Sequence, residues 1–267
     1  THITDLGFGT DAADHGAWLG SGVFDGARFV NGVAPDLLAH CERVNRSAEA
    51  LMITPTVSAE DMVQIVWDGL RAYSKDTAVY IRPMYWGIDG DQTAIVPQPG
   101  KTGFAICLEE IPMAPETASV SLGKTRFRRP VLESAVVNAK AGCLYPNNAR
   151  MLAEVRARGF QNALVTDAMG NVAESATANV FMVKDGEVFP PNANGTFLAG
   201  ITRARHMTNL RADGTPVHET VLVGLGERVA DLRDDVHDPF GAEAALVFEQ
   251  EVQRAAVEPL HDQIQLP

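Results

Sequence analysis

The first part of the chain carries the patterns of several β-strands. Residues 22–33 alternate apolar side chains with small or polar ones, and they lead through Asn31-Gly32, the commonest dipeptide of tight hairpin turns. Residues 78–86 and 103–108 are rich in apolar and aromatic side chains, as strands are. The pattern predicts a hairpin in the first of these segments and one strand in each of the other two.

Two helices are predicted between these strands. Apolar side chains recur at helical spacing over residues 37–51. Ser58 is followed three residues later by Asp61, a pair that can cap the start of a second helix.

The second part of the chain repeats the mixture of strands and helices. Residues 148–158 have an amphipathic helical pattern, and residues 202–210 continue a turn as another helix. Residues 163–189 form two consecutive hairpin patterns, with turns at 168–171 and 184–186. We therefore expect an antiparallel α+β protein and not a doubly wound parallel sheet.

The domain organisation is predicted from one segment with little periodicity. Residues 110–117 contain two prolines and are the best candidate for a linker. They separate a smaller N-terminal α+β domain, residues 1–109, from a larger domain, residues 118–267. Near the end of the chain, residues 241–257 have helical character.

Composition narrows the classes of function. The 267 residues are 46% hydrophobic and carry a formal net charge of -12, so no basic field for nucleic acid or an anionic membrane is expected. The three cysteines are odd in number and widely spaced, which favours a reducing compartment. The N-terminus lacks the pattern of a signal peptide. We expect a cytoplasmic protein that binds small molecules.

Lys140 is the strongest candidate for covalent chemistry. The chain has five lysines, and the other four lie in polar stretches or turns. Lys140 lies in Ala-Val-Val-Asn-Ala-Lys-Ala-Gly, where apolar neighbours would favour a neutral, nucleophilic amine. In such a run a lysine is about as often salt-bridged, or extended along apolar surface with its ammonium in water, as it is catalytic. The assignment therefore needs support from other residues.

Three further features lie after Lys140. Tyr145 follows five residues later, and Glu174 is an isolated acid in a predicted strand, where a solvent-facing position is the alternative explanation. The turn 197–203 leads into a helix whose first backbone amides could bind an anion, although many such turns are only helix caps.

Five motifs occur along the chain in one order. They are Val-Phe-Asp-Gly-Ala-Arg (23–28), Tyr-Ile-Arg-Pro (80–83), Lys140 with Tyr145, Val-Ala-Glu (172–174) before Asn-Val-Phe (179–181), and Leu-Ala-Gly-Ile-Thr-Arg (198–203). Together these motifs resemble those of the fold-type IV pyridoxal-phosphate (PLP) enzymes, in the family's order, and they are most similar to branched-chain aminotransferases. The resemblance covers roughly residues 5–220. It implies a two-lobed fold like that of D-amino acid aminotransferase, with a pseudo-barrel in the larger domain, and it implies a homodimer.

The resemblance also implies the roles of individual residues. Lys140 would be the lysine that carries the cofactor covalently, and Glu174 would pair with the nitrogen of its ring. The remaining roles are a hydrogen bond to the ring oxygen by Tyr145, phosphate binding by Arg28 and by the amides of Ile201 and Thr202, and substrate binding by Phe24, Tyr80 and Arg82.

Two departures from the family pattern concern the substrate and the phosphate. Leu19 stands where the family often has an active-site aromatic residue. After Val247-Phe248 the chain has Glu249 and Glu251 in place of a Ser-Gly-Thr-like hairpin, and two carboxylates would repel a phosphate.

The expected activity is transamination between a branched-chain-like L-amino acid and a 2-oxo acid such as 2-oxoglutarate. A PLP-dependent lyase similar to aminodeoxychorismate lyase would share the same residues, and a non-catalytic paralogue is a further alternative.

Other classes of site are disfavoured. Residues 221–229 partly match a dinucleotide-binding fingerprint, but too few residues follow for such a domain. The chain lacks a Gly-x-Ser-x-Gly motif, and its seven histidines lack metal-ligand spacing, so no metal site is expected.

Overall fold

The computed structural model describes residues 11–115 and 119–223, together with the backbone of 245–248. These residues divide into two compact units. The first contains the described residues up to Pro112 and also Ala139–Cys143, whereas the second contains the others from Met113 onward. Lys140 therefore belongs to the first unit, although it follows residue 118 in the chain. The predicted domain bounds stay a prediction.

The first unit is a four-stranded antiparallel sheet with helices. Its elements are α1 (His15–Trp18), β1 (Gly22–Phe24), β2 (Ala27–Phe29), α2 (Leu37–Ala50), α3 (Ala59–Leu70), β3 (Val79–Gly87) and β4 (Thr102–Glu110). Strand β3 pairs with each of the other three strands: it lies between β1 and β2 in the order β1-β3-β2, and β4 also pairs with it.

The hairpin predicted for residues 22–33 is only partly correct. The turn forms, because Val30 and Val33 exchange two backbone hydrogen bonds around Asn31 and Gly32, which both have positive φ (52° and 82°). These angles are those of a two-residue type I′ turn. The strands before the turn pair with β3 and not with each other. Pairing with β3, which is distant in the sequence, thus takes the place of the pairing within the predicted hairpin.

Helices α2 and α3 form where the sequence predicts them. The hydroxyl of Ser58 accepts a hydrogen bond from the Asp61 amide at 3.1 Å, which confirms the capping pair. The apolar faces of the two helices contribute buried side chains to the core of this unit: Cys41, Val44, Met62 and Val66.

The second unit contains two three-stranded sheets. Its elements are β5 (Leu122–Arg128), a 3₁₀ turn (Gly142–Leu144) that starts in the first unit, α4 (Tyr145–Arg156), β6 (Asn162–Thr166), β7 (Val172–Ser175), β8 (Val180–Lys184), β9 (Glu187–Phe189), α5 (Ile201–Ala212) and β10 (Ala245–Phe248). One sheet has the strand order β5-β6-β7, in which β5 and β6 are parallel. The other sheet has the strand order β10-β8-β9.

Several predictions for this unit are confirmed. Strands β6 and β7, and likewise β8 and β9, are the two expected hairpins. Helices α4 and α5 occupy the two helical patterns. The helical character expected for 241–257 is wrong at residues 245–248, which form a strand on β8, while the rest of that range lies outside the described residues.

The α+β class is confirmed by this mixture of helices and largely antiparallel sheets. The described strands of the second unit form two sheets and do not close into a barrel. None of the helices in the described part of the chain combines the length and the apolar character required to span a bilayer.

Candidate active site

One face of the first unit's sheet presents four of the predicted site residues. Side chains of β1, β2 and β3 alternate between buried and half-buried positions, because successive residues of a strand point to opposite faces. Phe24 pairs with Met84, and Arg28 pairs with Tyr80. The half-buried face thus carries the predicted Phe24, Arg28, Tyr80 and Arg82.

Lys140 lies against the same sheet. Its carbonyl accepts a hydrogen bond from the Phe24 amide at 3.1 Å, and its own amide donates to the Ser47 hydroxyl at 3.1 Å. The flanking Ala139 and Ala141 are buried. The ammonium nitrogen of Lys140 lies 5.2 Å from the centre of the Phe24 ring. The structure therefore brings Lys140 and Phe24 together in an apolar setting.

Tyr80 is enclosed by two arginines. The guanidinium carbons of Arg28 and Arg82 lie 5.3 and 5.8 Å from the centre of its ring, within the range of a cation–π contact. A side chain at Gly26 would overlap with the Tyr80 hydroxyl in its present position. The phenol ring thus lies within contact distance of both cations and packs against Gly26.

The two arginines have different polar partners. Arg28 donates a hydrogen bond to the Ile111 carbonyl at 2.8 Å, and burial lowers the pKa of its guanidinium. Arg82 forms an ion pair with Glu109 of β4. No motif or spacing in the sequence indicates Glu109 as a partner of Arg82.

In the second unit, Glu174 is a buried carboxylate with a charged partner. Its side chain lies 2.8 Å from the Arg129 guanidinium, and the two side chains are only 10% and 6% exposed. Arg129 also donates to the Asn148 side chain at 3.0 Å and to the Thr196 carbonyl at 3.3 Å. The alternative explanation, a solvent-facing Glu174, is therefore wrong.

Sequence reasoning missed Arg129 because it lies 45 positions before Glu174. The residues between them include the 3₁₀ turn, α4, β6 and the first two residues of β7. The only local signal was an arginine directly before a proline, in Arg128-Arg129-Pro130. Such a position is typical of the end of a strand and does not indicate a buried ion pair.

The start of α5 is the predicted anion site, and Asn179 connects it with Glu174. The Asn179 amide donates to Glu174 at 3.3 Å and to the Leu198 carbonyl at 3.5 Å. A side chain at Gly200 would overlap with the Asn179 side-chain oxygen. No side chain caps the start of helix α5 at Ile201. The backbone amides of its first turn therefore have no side-chain acceptor there and can donate to a ligand.

The remaining predicted residues have these positions. Tyr145 is the first residue of α4 and its side chain is 38% exposed. Thr202 follows Ile201 in the first turn of α5. Glu249 and Glu251 lie outside the described residues.

Each unit, taken by itself, has groups that suit a part of PLP. The first unit has a lysine held against an aromatic ring, and an amine suits the aldehyde of the cofactor. The second unit has a buried glutamate beside an arginine and a helix start without a side-chain cap. Backbone amides at a helix N-terminus suit a phosphate dianion, and a carboxylate suits a protonated ring nitrogen.

Known proteins similar to this chain include one sequence relative and two solved structures. A probable branched-chain-amino-acid aminotransferase of Rickettsia typhi is 33% identical over 191 residues, 71% of this chain and 65% of the relative. The chain thus spans slightly less than two thirds of that relative. A crystal structure of a Brucella abortus aminotransferase bound to PLP is 56% identical, with a TM-score of 0.79 over 81% of this chain and 77% of that one. The branched-chain aminotransferase of Escherichia coli is 25% identical, with a TM-score of 0.73 over 82% and 73% of the two chains.

A family model describes most of the chain. It is that of the class IV aminotransferases, and it matches residues 22–223. The match includes Arg28, Lys140, Glu174 and the start of α5, and it confirms the resemblance found in the sequence. The chain therefore belongs to the class IV aminotransferase family.

Proposed function

We propose that this protein is a PLP-dependent aminotransferase. It would transfer an amino group between a branched-chain-like L-amino acid and a 2-oxo acid such as 2-oxoglutarate. The observation that carries the proposal is the buried ion pair of Glu174 with Arg129. Arg129 is always charged, and a cation beside a carboxyl group favours its carboxylate form, which is the form that can pair with a protonated pyridine nitrogen.

Each site residue has a distinct task in this proposal. Bound PLP supplies a ring that withdraws electrons from the α-carbon of the amino acid. Lys140 would hold the cofactor through its side-chain nitrogen until the substrate amine takes its place, and the freed amine would then move a proton between the substrate α-carbon and the C4′ carbon of the cofactor. Glu174 keeps the ring nitrogen protonated, and Tyr145 donates a hydrogen bond to the ring oxygen.

The phosphate and the substrate are bound by further residues. Arg28 and the amides of Ile201 and Thr202 hold the phosphate. Phe24, Tyr80 and Arg82 line the substrate side, where they combine an apolar surface with a cation for a carboxylate.

Spectroscopy tests the function directly. Purified protein reconstituted with PLP should show a visible absorption band that disappears when L-leucine, L-isoleucine or L-valine is added and returns with 2-oxoglutarate. Failure to form the band would support a non-catalytic paralogue. A stable band that these amino acids leave unchanged, together with pyruvate release from aminodeoxychorismate, would instead support a lyase.

We further infer that the protein is a cytoplasmic homodimer that acts on small molecules and binds neither nucleic acid nor membranes. The acidic charge and the family resemblance support this inference. Light scattering on a size-exclusion column tests the dimer.

A further inference from the structure

Glu109 is an acid on the face that carries the predicted substrate residues. It pairs directly with Tyr80 in the register of β3 and β4, and directly opposed residues lie on the same face of a sheet. The ion pair to Arg82 therefore runs diagonally between the two strands. The neighbouring Glu110 pairs with Val79, which is buried on the opposite face.

Arg82 is well suited to hold a carboxylate, because its planar guanidinium matches carboxylate geometry and is always charged. In this structure it already holds one, that of Glu109. Its Nε is buried and makes no hydrogen bond to any described residue. Glu109 is thus the carboxylate that occupies the accessible part of the guanidinium.

The distance from the reactive lysine also suits a substrate carboxylate. Lys140 lies over Phe24, and Phe24 pairs with Met84. Arg82 is two residues from Met84 on the same strand face, which corresponds to about 7 Å along the sheet. A second carboxylate of a substrate that reacts near Lys140 could reach Arg82, where it would meet Glu109.

The ion pair is open enough to be displaced. The Arg82 side chain is 33% exposed and that of Glu109 is 43% exposed. Ion pairs at this exposure are weak, so an incoming carboxylate can compete for the guanidinium. It must do so against both the existing pair and the repulsion from the Glu109 charge.

We propose that Glu109 is a specificity-determining residue: by occupying Arg82 it weakens the binding of substrates with a second carboxylate, 2-oxoglutarate among them, relative to 2-oxo acids and amino acids with neutral side chains, and so raises KM for 2-oxoglutarate without excluding it as amino acceptor. This inference rests on the proposed function, because it concerns the substrate of that reaction. Glu109 acts through Arg82 and is a positioning residue.

The test uses the holoenzyme and the near-isosteric variant Glu109→Gln. It should lower KM for 2-oxoglutarate about fivefold and change KM for 4-methyl-2-oxopentanoate less than twofold. The control Glu110→Gln should change neither. Equal changes for both oxo acids, or no change for 2-oxoglutarate, would overturn the proposal.

A second measurement does not need turnover. Calorimetric titration should show that Glu109→Gln binds glutarate more tightly but binds 4-methylpentanoate as the unmodified protein does. In an Arg82→Gln background the effect of Glu109→Gln on glutarate should vanish. An effect that survives there would overturn the role of Arg82. If glutarate binding responds as expected but no amino acid is transaminated, the proposed function fails and the carboxylate site stands.

Discussion

The Glu174 carboxylate and the Arg129 guanidinium form a buried ion pair at 2.8 Å, and each has a further polar partner in the same unit. Burying two charges is costly unless each remains paired and hydrogen-bonded. Asn148 and Asn179 meet that requirement on the two sides of the pair. The arrangement holds the Glu174 side chain in place beside a cation.

Removal of Arg129 should leave this buried carboxylate without its cation. Arg129→Gln should therefore lower the free energy of unfolding by about 3 kcal/mol, as measured by denaturant unfolding at pH 7. The double variant with Glu174→Gln should recover part of this loss because the uncompensated charge is gone. Arg150→Gln, at an exposed position on α4, is the matched control and should have little effect. A loss of equal size in that control would contradict the prediction.

Lys140→Ala should abolish covalent attachment of the cofactor. Borohydride reduction of the protein with PLP should label Lys140 alone, because this lysine lies between buried alanines and over the ring of Phe24. Peptide mapping by mass spectrometry identifies the labelled lysine. Lys124→Ala serves as the control and should keep the label. A label on Lys124 or on another lysine would refute the assignment.

Gly200→Ala should weaken cofactor binding through Asn179. The added methyl group would overlap with the Asn179 side-chain oxygen, and Asn179 also donates to Glu174. We expect PLP affinity, titrated by absorbance, to fall about tenfold. Combining Gly200→Ala with Asn179→Ala should remove the additional loss. If the two losses are simply additive, the steric conflict is not the cause.

Local patterns predicted much of the fold. The Ser58 cap, the Asn31-Gly32 turn and the two hairpins of the second unit depend on a few neighbouring residues, and all form as expected. The partner of strands β1 and β2 could not be predicted in this way. Burial against β3, about 50 residues later in the chain, decided it.

The same limit applies to the candidate site. Motifs pointed to Lys140 and Glu174, but their neighbours Phe24 and Arg129 lie 116 and 45 positions away and touch them only through tertiary packing. Glu109 was missed for a related reason. Its pairing with Arg82 depends on the register of β3 and β4, which hydrophobic alternation alone does not fix.

The buried Asp25 should make stability depend on pH. Burial alone would raise the pKa of this carboxyl, but hydrogen bonds and charges from Arg43 and His40 outweigh burial and hold the pKa well below its usual range. A depressed pKa stabilises the fold above the unfolded value of about 4, and the contribution is lost as the pH falls through the folded value.

The variant Asp25→Asn isolates this contribution. It should lower the free energy of unfolding by about 3 kcal/mol at pH 7, and the gap to the unmodified protein should narrow as the pH falls below about 4. Urea unfolding across that pH range measures the gap. Asp76→Asn, an exposed aspartate of the same unit, should show no comparable gap. A gap that stays constant with pH would contradict the assignment to Asp25.

The role of Arg28 in phosphate binding can be separated from its role in the sheet. In the structure Arg28 is half-buried, donates to the Ile111 carbonyl and contacts Tyr80. If it also holds the phosphate, Arg28→Ala should reduce PLP affinity about ten- to a hundredfold, since a charge-assisted contact is worth about 1.5–3 kcal/mol. Titration of the apoprotein with pyridoxal, which has no phosphate, should show little difference between the variant and the unmodified protein. Equal losses for PLP and pyridoxal would mean that Arg28 supports the sheet face alone, and the phosphate would then depend on the amides of Ile201 and Thr202.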